Sequence, residues 1–542
     1  MEIRQLYKGL SVCGQLLVED IGEIKALGFA MVICNRPNGE EISQADCDVI
    51  RQAVQAAGME FMYLPVSPGT SELDTVRAFG DAIEQAGSVL AYCRTGNRCS
   101  LLWAQSQLGK LPTQTIVESV NALGFRFEPP PGPSPEVVNK TFDVVVVGGG
   151  AGGISAAASL LKRNSGLDIA IIEPCEEHYY QPGWTMVGGG IFTAEQTVRK
   201  NASLMPKSTT WIKQRVMEFM PELNQVGLDD GTYLGYRTLV VSPGLKLDWA
   251  AIEGLEESLG NNGVTSNYHY RHASYTWEQV KKIRGGKAIF TQPPMPIKCA
   301  GAPQKALYLS CSHWERENLL QNLDVHFCNA GGVLFGVEHY VPALQKYIDR
   351  YGINLDFQHN LVAVDGAAGK AWFSVADKEE RYEVDFDFLH VCPPQLAPDF
   401  IRESSLSNDA GWVDVDQHTL QHVKFDNIFS LGDVSSTPNA KTAAAVRQQA
   451  PVLAENLLAY VSGKPLQHKY DGYGSCPLTV EHGKIVLAEF GYQGKLLPSL
   501  PKWVLNGDNP SRISWFLKKT MLPPIYFHLM LRGREWLATP KP

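Results

Sequence analysis

Cysteine, glycine and basic residues come together in four segments of this 542-residue chain in patterns that suit chemistry. In Val89-Leu90-Ala91-Tyr92-Cys93-Arg94-Thr95-Gly96-Asn97-Arg98-Cys99-Ser100, an apolar strand runs through a short loop into a helix start. Successive loop amides turn inward as an anion nest, and with Arg98 and the helix dipole they depress the pKa of Cys93. Such a site suits an oxyanion, whether phosphate or thiosulfate-like. In the second segment, Phe142 to Val147 leads into Gly148-Gly149-Gly150-Ala151-Gly152-Gly153 and an alanine-rich helix, with Glu173 following 25 residues after Gly148. Gly148 allows the tight turn, Gly150 lets the backbone approach a pyrophosphate, and Gly153 permits close helix packing. Ala151 and Gly152 open the helix whose amides and dipole face the phosphates, and Glu173 accepts ribose hydroxyls. The third segment, Pro296-Ile297-Lys298-Cys299-Ala300-Gly301-Ala302-Pro303-Gln304-Lys305, sets a cysteine between two lysines, which favour thiolate over thiol. The fourth, Tyr473-Gly474-Ser475-Cys476-Pro477, adds another cysteine. Taken singly, such cysteines are more often small buried hydrophobes than catalysts.

The elements that position these residues narrow the cofactor. Thr238 to Val241 followed by Ser242-Pro243-Gly244, and Ile428 to Leu431 followed by Gly432-Asp433, resemble two later features of two-dinucleotide flavoproteins. Together they indicate FAD. A second βαβ unit would hold NAD(P)H, but its first strand, Ala288 to Thr291, runs into Gln292-Pro293-Pro294-Met295-Pro296. Prolines donate no amides to a pyrophosphate. The turn Asn329 to Gly336 lacks the required spacing, so the flavin is expected to draw its electrons from elsewhere.

Composition sets the frame. With 44% hydrophobic and 19% charged residues, the chain is globular rather than disordered or fibrous. A net charge of −9 gives no reason to expect nucleic acid as a partner. The eleven cysteines form no CxxC pairs, so neither a zinc ribbon nor a disulfide scaffold is expected, and no metal site is assigned. The start, MEIRQLYKGL, shows no signal segment, which makes a cytosolic setting the default expectation. Val144 to Leu161 is uncharged and long enough for a membrane span, yet its glycines and its change from β-branched to alanine-rich residues read as strand, turn and helix.

Pro129 to Pro135 holds five prolines and marks a stiff linker. The expected domains are 1–128, an α/β layer with a parallel sheet; a 129–140 linker; 141–285, the first part of an FAD domain; 286–397, a second Rossmann-like domain; 398–465, the second part of the FAD domain; and 466–542, the Cys476 segment and tail. Residues 501–542 carry seven Lys or Arg, two Asp or Glu and three Trp, a pattern fitting segments that lie in a membrane interface. A helix packed on the core, or a dimer contact, is the alternative.

Over roughly residues 141 to 537 the sequence closely resembles the eukaryotic-type sulfide:quinone oxidoreductases. The matching stretches are His178 to Pro182, Trp211 to Val216, Ile297 to Lys305, Gly411 to Asp416, Lys441 to Val446 and Gly472 to Leu478. The resemblance implies that Cys299 and Cys476 are a redox pair at the flavin. Hydrosulfide opens their disulfide to leave a persulfide on Cys476, and Cys299 passes two electrons at the flavin C4a position. It implies FAD contacts at Glu173, Gln181, Val216, Asp433, Lys441, Thr442 and Ala443, with Lys441 near the flavin carbonyl edge, where it could stabilise anionic reduced flavin. It also implies membrane-facing helices in the tail, where ubiquinone would enter; with the cytosolic default, the expected location is peripheral at the cytoplasmic face of a membrane, and the expected partners include a small sulfur acceptor such as sulfite or glutathione.

Residues 1–128 resemble a phosphatase-fold family fused to sulfur-metabolism enzymes, and the four residues between Cys93 and Arg98 match the rhodanese loop rather than the five of phosphatases. The implied architecture is a tyrosine-phosphatase-like α/β domain followed by a double Rossmann-like flavoprotein with a membrane-facing helical tail. Cys93 is expected to carry sulfane sulfur, with phosphate ester hydrolysis or an inactive docking role as alternatives. Cys99 is a candidate resolving partner or a packed helix cysteine. The rival readings of the whole chain are a type II NADH dehydrogenase-like flavoenzyme and a sulfide or redox sensor.

Overall fold

The computed structural model describes residues 2–41, 44–66, 73–107, 111, 113–127, 140–375 and 381–540. The proline-rich segment 129–135 lies outside them. The chain forms two compact units. One comprises Met1–Lys140 with Val216–Met220 and Val226–Leu234, and the other Thr141–Arg215, Pro221–Gln225 and Gly235–Pro542.

The first unit is built on a five-stranded sheet in the order Arg4–Tyr7, Leu10–Cys13, Val89–Tyr92, Met31–Cys34, Glu60–Tyr63. Its last four strands pair in parallel, while the first two form an antiparallel hairpin. The parallel sheet expected for this domain is thus present, with an antiparallel hairpin added at one edge. The hairpin strands, RQLY and LSVC, mix polar with apolar residues, unlike the apolar MVIC and VLAY of Met31–Cys34 and Val89–Tyr92. Alternation in strand Val89–Tyr92 sends Val89, Ala91 and the following Cys93 to one core, with Phe79 and Trp103. Leu90 and Tyr92 enter the opposite core, with Val32 and Cys34.

In the second unit, strands Thr209–Ile212, Ile169–Ile172, Lys140–Val147 and Tyr233–Val241 lie side by side, with Ile428–Ser430 paired in parallel to the last. The segment Val144 to Leu161 is indeed a strand, a turn and the helix Ala151–Arg163. Val144, Val146, Ile154, Ala157 and Leu160 share one core with Phe429 and Leu453. Among the described residues no helix is long and apolar enough to cross a membrane. A second parallel sheet, in the order Val264–Thr265, Phe388–His390, Gly286–Gln292, Leu323–Asn329, Asn354–Phe357, carries helix Ala302–Arg316. The antiparallel hairpin Gly474–Glu481 and Lys484–Phe490 packs on that helix through Cys476, Leu478, Val486 and Ala488.

The tail is a broken helical run from Arg512 to Arg532 containing two π-helical stretches, Leu517–Met521 and Ile525–Leu529. One side is core: Tyr526, Phe527, Met530 and Leu531 join the cluster around Ala157 and Leu453. The other side leaves Trp503, Ile513, Phe516, Met521 and Trp536 exposed. The end is clamped by Glu535, which takes Ser159 Oγ at 2.6 Å and Lys162 Nζ at 2.9 Å and is paired with Arg163. Of the two sequence expectations, core packing holds for Tyr526, Phe527, Met530 and Leu531.

Candidate redox centre and a second cysteine loop

Glycine geometry explains the fingerprint. Gly148 has φ +98°, and a Cβ there would stand 2.5 Å from the Ser242 carbonyl oxygen; one at Gly153 would stand 1.8 Å from that of Gly148. Both are therefore structural requirements of the turn and its packing. A Cβ at Gly150 would meet nothing within 4 Å, because Gly150 borders a cavity of about 540 Å³. Ala151, Gly152, Glu173, Gln181, Gly244 and Gly432 border it too, as do Asp433, Lys441, Thr442 and Ala443. Gly148 and Gly153 stand behind the lining. Val216 is buried at the start of its strand and is not a lining residue.

Two helices begin at this cavity, Ala151–Arg163 and Ala443–Val461, the second capped by Thr442 Oγ1 accepting from the Ala445 amide at 3.2 Å. Their free amides and dipoles suit the phosphates of a dinucleotide. Glu173 is held in place by the amides of Gly149 and Cys175, each at 2.8 Å from a carboxylate oxygen. Buried polar atoms without hydrogen-bond partners among the described residues, Thr185 Oγ1 and both amide atoms of Asn267, belong to lining residues. Open space at Gly150, paired helix N-termini and unpaired polar groups fit a flavin dinucleotide. Lys441 Nζ donates to the carbonyls of Asp433 (2.7 Å) and Ser435 (2.8 Å) and lies 4.3 Å over the Trp412 ring. Burial pushes it down to about 8.

Cys299 and Cys476 come together where two distant segments meet. The strand Gly286–Gln292 feeds the loop that carries Cys299, whose backbone amide bonds the Lys441 carbonyl at 2.9 Å. Cys299 adopts φ +48°, a left-handed conformation unusual for a side-chain-bearing residue and held by its surroundings. Gly301 lets the partner in: a Cβ there would stand 2.4 Å from Cys476 Sγ. The two thiols are hydrogen-bonded to one another, which lowers the pKa of Cys299 and raises that of Cys476. Lys305 Nζ, 3.0 Å from Cys299 Sγ, reinforces the asymmetry and favours the thiolate form at Cys299 rather than Cys476. Lys298, the other flanking lysine, donates instead to Gln181 Oε1 at 2.7 Å.

The tail adds a residue that the sequence did not single out. Lys518 is buried in the first π-helical stretch, donates to the Pro477 carbonyl at 3.2 Å and lines the cavity. Burial, with Lys305 nearby, pushes it down to about 7. Lys518 and Lys519 stand side by side after Trp515 to Leu517, and their order gives no sign that the first is buried.

A hydrogen bond to a charged group is worth about 1.5–3 kcal/mol. Lys305→Met is therefore expected to slow reduction of the bound flavin by sulfide roughly 10- to 100-fold. Stopped-flow absorbance checks this, with unchanged flavin content showing that the fold is kept; an unaltered rate would remove Lys305 from thiolate stabilisation.

The second loop is equally defined. Cys93 follows strand Val89–Tyr92, and its Sγ accepts the Gly96 amide at 3.1 Å. The Cys99 thiol, followed by the amides of Cys99, Thr95 and Arg98, lowers Cys93 to about 5. Cys99 is thus the foremost partner of that thiolate. Arg98 is engaged by Glu40, with Nη1–Oε1 at 2.7 Å and Nη2–Oε2 at 2.6 Å, and Glu40 also accepts Arg36 Nε at 3.0 Å. Both arginines hold Glu40 below the usual carboxylate range. Nothing in the local spacing of Glu40 links it to Arg98, and it was not anticipated.

Fold and site together define a flavoprotein of the pyridine nucleotide-disulphide oxidoreductase class joined to a phosphatase-like unit. The family model described as pyridine nucleotide-disulphide oxidoreductase matches residues 142–283, and that of the beta-lactamase hydrolase-like protein, phosphatase-like domain, matches residues 2–110. The chain belongs to the sulfide:quinone oxidoreductase family. It is 45% identical over 395 residues to the mitochondrial sulfide:quinone oxidoreductase of Dictyostelium discoideum, covering 72% of this chain and 86% of that protein. The X-ray structure of the sulfide:quinone oxidoreductase from Aquifex aeolicus shares the fold, with a TM-score of 0.60 at 20% identity over 73% of this chain and 91% of that one. The N-terminal unit is similar to a beta-lactamase hydrolase-like protein of Agrobacterium fabrum, 30% identical over 128 residues, which are 23% of this chain and 30% of that protein.

Proposed function

We propose that the chain oxidises hydrogen sulfide at Cys299 and Cys476 and passes the electrons through FAD to a quinone. The observation that carries this reading is the buried contact of the two thiols beside Lys305, at a cavity fitted for a dinucleotide. Hydrosulfide attacks the Cys299–Cys476 disulfide, so that Cys476 keeps the incoming sulfur as a persulfide and Cys299 leaves as thiolate. Lys305 and Lys518 hold that negative charge. A nucleophilic acceptor of the sulfite or low-molecular-weight thiol class takes the outer sulfur and leaves the Cys476 thiolate. Re-forming the disulfide releases two electrons, and FAD, when bound, is the carrier that accepts them and delivers them to the quinone. The loop after strand Gly286–Gln292, where a nicotinamide-binding turn would stand, is given over to Cys299, which favours sulfide over NADH as donor.

The exposed face of the tail, with Trp503, Ile513 and Phe516 among Lys502, Arg512 and Lys519, suits peripheral contact with a membrane surface, where a hydrophobic quinone is available. Cys93 takes up sulfane sulfur from a persulfide or a small carrier. Sulfur uptake is favoured over phosphate ester hydrolysis because Glu40, held below the usual carboxylate range by Arg98 and Arg36, is ionised and cannot act as the general acid that ester cleavage needs.

The test is anaerobic titration of the flavin-loaded protein with sulfide. Stoichiometric bleaching, reversed by a quinone, is expected; bleaching by NADH with none by sulfide would overturn the reading.

A further inference from the structure

The hairpin Gly474–Glu481 and Lys484–Phe490 has two faces that do different things. Register pairs Ser475 with Glu489, Cys476 with Ala488 and Pro477 with Leu487. Strand alternation therefore turns Cys476 and Ala488 toward the core around helix Ala302–Arg316, and Ser475, Pro477, Leu487 and Glu489 toward the cavity. The same cavity is lined by Leu500, Leu505, Leu517 and Leu522 of the following segment and tail, together with the cations Lys518 and Arg447. Glu489 borders this largely apolar chamber and is 7% exposed.

Glu489 is built in. Tyr473 Oη donates to its Oε1 at 2.6 Å, the Ser499 amide donates to its Oε2 at 3.2 Å, and the Tyr473 and Ser499 hydroxyls are 2.9 Å apart. Its backbone is pinned on both sides by Tyr340 Oη, which donates to the Glu489 carbonyl at 3.2 Å and accepts from its amide at 3.1 Å. Tyr473 and Ser499 also line the cavity, and Ser499 is half-buried next to the exposed Pro498. A buried carboxylate in an apolar chamber is costly unless it serves structure or chemistry. The sulfide steps make no use of it, whereas quinone reduction needs protons delivered to an apolar place.

We propose that Glu489, with Tyr473 and Ser499, is the proton relay for the quinone on the tail side of the hairpin. This rests on the reading of the centre given above. Reduction of the quinone to quinol takes two electrons and two protons. The electrons are those released when the Cys299–Cys476 disulfide re-forms, as proposed above. Each proton enters from water at Ser499, passes to the Glu489 carboxylate, and leaves through the Tyr473 hydroxyl to a quinone oxygen. The relay returns to its starting state after each transfer.

Glu489→Gln keeps the shape and the hydrogen bond accepted from Tyr473 but carries no proton. In the flavin-loaded full chain, first reduced anaerobically with sulfide, reoxidation by a short-chain ubiquinone analogue is expected to slow roughly a hundredfold. Bleaching by sulfide, and reoxidation by ferricyanide, which takes electrons without protons, are expected to stay within about twofold of wild type. Tyr473→Phe, which keeps the ring and its packing, is expected to show the same split. The wild type is expected to show a solvent deuterium effect with the quinone and none with ferricyanide. A wild-type quinone rate in Glu489→Gln, or equal losses with both acceptors, would overturn the relay and leave Glu489 a structural group. Failure of sulfide to bleach the wild-type flavin would overturn the underlying reading as well, and is distinguished from failure of the relay alone by that first step.

Discussion

Replacing Cys299 or Cys476 by serine is expected to abolish sulfide-driven quinone reduction, with a loss of at least about a thousandfold in either variant. A hydroxyl forms neither a disulfide nor a persulfide, so the sulfur has no place to bind and the electron pair no route out. The structure argues that this is not a folding effect. Serine matches cysteine in shape, and Cys476 is enclosed by Leu478, Val486 and Ala488, which remain. A buried substitution of this size costs about 1–2 kcal/mol, within the margin of a domain with its own core. The two variants differ in a second readout. Cys476→Ser keeps Lys305 on the Cys299 sulfur, so Cys299 stays a reactive thiolate toward alkylating reagents. Cys299→Ser leaves Cys476, which is 2% exposed and not a lining residue of the cavity, and alkylation is expected to be slow. Steady-state quinone reduction, flavin content and thermal midpoints check these expectations, and wild-type turnover in either variant would sink the redox pair.

Cys93→Ser is expected to remove a separate activity altogether. Thiocyanate formation from thiosulfate and cyanide by the full chain should fall at least about a thousandfold, while flavin bleaching by sulfide stays as in wild type. The pH dependence follows from the thiolate. Cys93 is lowered to about 5, whereas an unperturbed cysteine titrates at about 8.5. Sulfur uptake should therefore be flat from pH 8 to about pH 6 and fall as pH drops through about 5. Stability has the same sign: between about 5 and 8.5 the folded state binds fewer protons at this sulfur than the unfolded chain does. Its contribution is complete above about 8.5 and is lost as pH falls through 5. An uptake profile centred near 8.5 would show that the loop amides and Cys99 do not hold a thiolate.

Much of this protein is legible in short stretches of its sequence, because the physics there is local. Gly148, Gly150 and Gly153 specify a turn, an open approach and a close packing contact within six residues, and the structure shows each of them serving that purpose. The change from β-branched to alanine-rich residues between Val144 and Leu161 sets strand and then helix. Cys93 and its loop are contiguous, so the amides that lower its pKa follow directly from strand, loop and helix start. The hairpin Arg4–Tyr7 with Leu10–Cys13 is not legible in this way, because its strands mix polar and apolar residues where Met31–Cys34 and Val89–Tyr92 are apolar runs.

Tertiary structure alone decided what depends on remote segments converging. No spacing predicts that Gly301 leaves room for Cys476, that Lys305 rather than Lys298 reaches the Cys299 sulfur, or that Lys518 of the tail joins them. Nor does it show that Glu40 closes on Arg98, or that one register of a hairpin turns Cys476 to the core and Glu489 to the cavity. The physical reason is range. Local propensity acts over a few residues, whereas charge and hydrogen bonding act across whatever the packed core brings within a few ångströms. Chain order does not record those distances.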